Sequence, residues 1–112
     1  SSLKISPNEQ INFISNFWKE SLPLSKNTFE KVKKISFIKR LDSKADLYGK
    51  TGTGCLNKGC SIQQGWFVGI LKTEKEAYAF AAFTQDKKKI SGYAGPRVRQ
   101  LITDALNTWE AK

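Results

Sequence analysis

The 112 residues, 39% of them hydrophobic and 26% charged, make one domain at most, and no apolar run approaches the length of a membrane span. The chain has no His and only two Cys; this excludes Ser-His-Asp and Cys-His catalysis, His-ligated zinc and a Cys-only structural zinc site, so neither metal nor cofactor is expected. The net charge of +9 is spread over short groups (Lys31 to Lys34, Lys39-Arg40, Lys87 to Lys89) with no nucleic-acid motif beside them, so the expectation is solvated faces and no nucleic-acid partner.

Ser6-Pro7-Asn8-Glu9 reads as a capping box, with Ser6 as N-cap, Pro7 at the first helical position and Glu9 reaching back. Ile11, Ile14, Trp18 and Leu22 follow at helical spacing, and Phe13 and Phe17 widen the stripe. Pro23 ends this helix, because a proline disfavours helix in the residue before it. Ser25 caps a second helix that turns Phe29, Val32 and Ile35 inward. Beyond it, Phe37, Ile38 and Leu41 belong to a short turn or a strand.

Three strands follow. Leu47 to Thr53 is the first, and Gly65 to Leu71, rich in aromatic and branched residues, is the second. Thr73-Glu74-Lys75-Glu76 is a polar turn, and Ala77 to Thr84 returns as the third, giving an antiparallel hairpin. A polar loop leads to the last helix, with Pro96 in its first turn. Val98, Leu101, Ile102, Ala105, Leu106 and Trp109 form its apolar stripe. The expected class is α+β, a three-stranded antiparallel sheet flanked by helices. Cys55 and Cys60 bracket four residues; the spacing admits a disulfide in an oxidising compartment and equally admits a reduced pair. Glu9, Asp46 and Glu110 are assigned no chemistry, since a cap, a strand end and a helix surface explain them.

Tyr48-Gly49-Lys50-Thr51-Gly52 on one strand, then Gly65-Trp66-Phe67-Val68-Gly69 on the next, resembles the penicillin-recognising serine enzymes. In detail the chain resembles the class D (oxacillinase-type) serine β-lactamases. Ser2 to Gln10 is similar to the segment after the family's omega loop. Ala94-Gly95-Pro96-Arg97-Val98-Arg99 is similar to the start of its final helix. The ordered set covers nearly the whole chain, and sensor domains of β-lactam-inducible receptors share it. Family members are considerably longer, with a Ser-x-x-Lys nucleophile motif and a Ser-x-Val motif well before this segment. A Ser-x-x-Lys pattern lies at Ser36-Phe37-Ile38-Lys39. It lies where the family has a connecting segment, so it is not taken as the nucleophile.

The resemblance implies a function. Residues 1–112 would be a single C-terminal segment of a class D-like domain, part of a serine β-lactamase/transpeptidase-like fold. The whole protein would hydrolyse β-lactams through a serine acyl-enzyme, and this chain alone would be inactive. The alternative is a β-lactam sensor or penicillin-binding module that acylates without fast turnover. Lys50 would keep the cleft positive, and Thr51 would donate to the substrate carboxylate. Gly52 would permit close approach, and the Thr53 backbone N–H would be an oxyanion donor. Arg99 would fork onto the carboxylate, with Arg97 in its place if the register slips by two. The partners implied are a β-lactam antibiotic and either a complementary N-terminal fragment or a second copy of the chain, with no membrane partner. The location implied is periplasmic or secreted, with the targeting segment outside this chain.

Overall fold

The computed structural model describes residues 6–109. Ser2 to Ile5 of the Ser2–Gln10 segment, and Glu110, lie outside those residues. Three helices and four strands follow in the order α1 (Pro7–Trp18), α2 (Lys26–Ser36), β1 (Phe37–Arg40), β2 (Asp46–Cys55), β3 (Gln63–Lys72), β4 (Ala77–Gln85) and α3 (Ala94–Asn107). The strands form one antiparallel sheet in chain order.

The sheet therefore has four strands among the described residues, not the expected three. The extra one is β1, which runs directly out of α2 with no breaker between them. It is four residues long, and its register with β2 is interrupted between Phe37 and Lys39. Such a strand is held by backbone pairing and by Ile38, which packs on the core. It has too few residues to show a period of two.

Local signals explain the helices. Ser6 Oγ accepts a hydrogen bond from the Glu9 N–H, and Ser25 Oγ accepts one from the Thr28 N–H, both at 3.1 Å. These side chains satisfy first-turn donors that have no partner within the helix. Alternation along the strands sorts side chains onto two faces. Leu47, Phe67 and Leu71 point to one face, where Val98 of α3 meets them and Ile102 and Leu106 pack alongside. Phe67 and Leu47 are fully buried, and this is the main core. On the other face Trp18 of α1 packs against Tyr48, the two rings tilted and their centroids 4.9 Å apart. The result is α1 and α2, then the sheet, then α3.

The outer helical layer is thinly packed. No residue of α1 is buried, and Phe29 is the one buried residue of α2. Phe13 is 60% exposed and Ile35 80%. The expectation that Ile35 turns inward is corrected, as is that for Leu101, which faces solvent from α3. Trp18 and Trp109 are also not fully enclosed core residues. Trp18 is half-buried beneath Lys33, whose Nζ lies 4.4 Å from the ring, and Trp109 sits past the end of α3 edge-on to Tyr78.

Candidate active site

The feature that organises the site is an unpaired strand edge. β1 pairs with β2 only over Asp46 to Tyr48, whereas β3 pairs with β2 along its whole length. From Gly49 onward, no described strand covers the β1 side of β2. In an antiparallel ladder, residues that exchange both bonds with the neighbour alternate with residues that turn their N–H and C=O away. Just past the strand end, the Leu56 N–H donates to the Ile62 carbonyl at 2.8 Å. Counting back in steps of two, Gly54, Gly52 and Lys50 bond to β3. Thr53, Thr51 and Gly49 then turn their backbone groups to the open edge. On the β1 side, the Leu41 N–H donates to the Ala45 carbonyl at 2.8 Å and gives the same phase.

Side chains complete the edge. Lys50 and Thr51, with Arg99 reaching from α3, line one pocket of about 270 Å³. Phe67 lies beneath it, and the stretch Ile35 to Ile38 forms its other wall. Lys50 and Arg99 are exposed, and neither makes a hydrogen bond or ion pair among the described residues. Two free cations beside open backbone donors suit an anionic, extended ligand. Gly52 and Thr53 do not line this pocket; they stand farther along the same edge. At Gly52 the Trp66 indole occupies the place a Cβ would take, so a larger residue would displace the ring.

Arg97 is already engaged. Its guanidinium forks onto Asp86, with Nη1 to Oδ1 at 3.0 Å and Nη2 to Oδ2 at 2.8 Å. Asp86 is 8% exposed, and the Arg97 fork holds its carboxyl below the ordinary value of 3.8. Arg99 is thus the arginine left available to a ligand. Tyr48, at the covered end of β2, is shifted upward by burial and then by the nearby Asp46 charge.

The serine of the Ser36–Lys39 pattern is turned back on its helix. Ser36 Oγ donates to the Val32 carbonyl at 2.7 Å and lies 3.2 Å from that of Lys33. Ser36 closes α2 and Lys39 lies in β1, so helical spacing does not bring the two together. A disulfide joins Cys55 to Cys60, with Cα atoms 4.7 Å apart, and closes the loop just beyond the open edge.

Sequence reasoning assigned nothing to Gln63 or Asp86. Gln63 bonds to the start of α3 and to the disulfide loop, and Asp86 anchors Arg97. The contacts cross 31 and 11 positions of sequence for Gln63–Ala94 and Asp86–Arg97. No local pattern announces partners so distant.

Known proteins share this architecture. The family "penicillin binding protein transpeptidase domain" matches residues 1–107. A probable β-lactamase, YbxI of Bacillus subtilis (strain 168), is 36% identical over 109 residues, covering 97% of this chain and 36% of that protein. The crystal structure of the class D β-lactamase OXA-427 superposes with a TM-score of 0.79 at 32% identity, covering 95% of this chain and 45% of that one. The C-terminal domain of the Bacillus licheniformis BlaR penicillin-receptor gives 0.77 at 28%, covering 97% and 43%. The chain therefore spans less than half the length of each of these proteins.

Proposed function

From a chain that belongs to the penicillin-binding protein transpeptidase family, we propose one wall of a serine acyl-transfer site for β-lactams, acting within a longer class D β-lactamase-like protein. The observation that carries this reading is the open β2 edge with Lys50, Thr51 and Arg99 around a single pocket. A β-lactam lies along that edge as an added strand. The Arg99 fork and the Thr51 hydroxyl take its carboxylate, and Lys50 keeps the cleft positive.

Attack on the lactam carbonyl produces an oxyanion. The Thr53 N–H, turned to the open edge, is one donor to it. The attacking serine and its base come from outside this chain, as the resemblance to longer enzymes implies. Residues 1–112 are on this reading a C-terminal segment, inactive by themselves. The Ile35–Phe37 surface beside the pocket, 80% and 46% exposed at its ends, is what the serine-bearing part or a second copy would cover. The Cys55–Cys60 disulfide fits an exported, periplasmic or secreted protein.

Likeness to the BlaR penicillin-receptor domain favours a second reading, a sensor that acylates and releases slowly. The fate of the acyl-enzyme decides between them. In the polypeptide that joins this chain to its serine-bearing part, nitrocefin turnover with no lasting adduct marks a β-lactamase. A persistent stoichiometric adduct marks a sensor, and the absence of both rejects the β-lactam reading.

A further inference from the structure

The three helices begin differently. α1 and α2 start on serines of their own segments. Tyr93, the residue that precedes α3, provides no side-chain cap. The sheet meets the first N–H groups of α3 instead. Gln63 Oε1 accepts from the Ala94 N–H and Thr53 Oγ1 from the Gly95 N–H, both at 2.9 Å. Ala94 is 0% exposed and Gly95 is buried, so water does not replace these acceptors. A buried first-turn N–H left without a partner is strongly disfavoured.

Gln63 is itself fixed on three sides. Its Nε2 donates to the Cys60 carbonyl at 3.3 Å, inside the disulfide loop. Its backbone N–H donates to Asp86 Oδ2 at 3.3 Å, and its carbonyl accepts from the Asp86 N–H at 2.8 Å. Arg99 stands four residues beyond Gly95, on the same side of α3.

The geometry points to Gln63 as a positioning residue. Clamped between the disulfide loop and Asp86, its amide fixes the start of α3 and so sets how far Arg99 stands from the Lys50–Thr53 edge. Through this link the Cys55–Cys60 loop is coupled to carboxylate recognition. The inference rests on the β-lactam reading and extends it from groups that touch the carboxylate to the one that spaces them.

The test uses the polypeptide that joins this chain to its serine-bearing part, with Gln63→Leu and Gln63→Glu. Leu removes the acceptor at similar size. Glu keeps the acceptor for the Ala94 N–H, and its charge is favoured at a helix N-terminus, but it has no donor for the Cys60 carbonyl and so cuts the link to the disulfide loop. Second-order acylation rates are measured with a penicillin and with its carboxylate methyl ester. Gln63→Leu lowers the rate for the acid about fivefold and leaves the ester within about twofold, and Gln63→Glu, which keeps the α3 bond and loses the loop bond, gives an acid rate between those of Gln63→Leu and the parent. Equal losses on acid and ester, or no loss on the acid, overturn the proposal. Amide hydrogen exchange without substrate separates it from the β-lactam reading: Ala94 exchanges faster in Gln63→Leu than in the parent. If the parent reacts with neither compound the β-lactam reading falls, and Ala94 exchange alone decides the clamp. Unchanged exchange overturns the clamp in either case.

Discussion

Gly95→Ala sets two physical effects against each other at the joint between α3 and the open edge of β2. Helix propensity favours alanine over glycine by up to about 1 kcal/mol. The added Cβ, however, would stand 2.7 Å from the Gly52 carbonyl oxygen and 2.8 Å from Thr53 Oγ1. The Gly52 carbonyl belongs to the backbone of β2, which is paired to β3 along its length, and Thr53 Oγ1 is held by its bond to the Gly95 N–H, so neither moves without loss. Overpacking of this kind costs roughly 1–3 kcal/mol. Moving α3 away also stretches the Thr53–Gly95 bond, an N-terminal cap of the kind worth about 1 kcal/mol. The balance is a net loss of about 2 kcal/mol, roughly 8–12 °C in Tm for a domain of this size. Urea or thermal unfolding followed by Trp fluorescence measures it. A stabilisation of about 0.5–1 kcal/mol would refute the reasoning, because propensity alone would then govern the position.

The other predictions concern the core, the site, pH and redox state. Phe67→Ala, at a fully buried position beneath the pocket, should destabilise by about 3–5 kcal/mol in urea titration. Arg99→Ala, read by acylation kinetics in the longer protein, should slow reaction with carboxylate-bearing β-lactams by roughly 10- to 100-fold, the worth of a charged hydrogen bond. Arg97→Ala should instead appear mainly as lost stability, since Arg97 is engaged by Asp86. Asp86 has a folded-state pKa depressed below its ordinary 3.8. Its stabilising contribution is therefore present above that value and is lost as pH falls through the folded value; Asp86→Asn should flatten this acid limb in pH-dependent melts. Reduction of Cys55–Cys60, whose partners are 5 positions apart, should cost about 2 kcal/mol by loop entropy.

Sequence pattern exposed the long strands because each carries enough residues to show its chemistry. The Trp66 to Leu71 run and the alanine-rich return are examples, and both serine caps followed from local spacing. β1 stayed ambiguous because four residues cannot establish a period and α2 runs straight into it. Ile35 and Leu101 continue apolar stripes yet face solvent, so helical periodicity overstated how much of each helix the described residues bury. At the site, Lys50, Thr51 and Arg99 were nameable from the resemblance, and the fold places them on one pocket. Only the ladder phase shows that Thr53 turns its N–H to the open edge. Gln63 and Asp86 were illegible. Their work is done through bonds to α3 and to Arg97, and one Gln of a Gln-Gln pair and an Asp before a lysine run look like ordinary surface.

The most direct test is the intact mass of the chain after exposure to a penicillin, measured alone and again when joined to a serine-bearing N-terminal part. The expected result is no adduct on the isolated 112 residues and one penicilloyl group, on the joined part's serine, in the longer protein. A covalent adduct on the isolated chain, or none in the joined protein, would contradict the assignment of this edge as one wall of a serine acyl-transfer site.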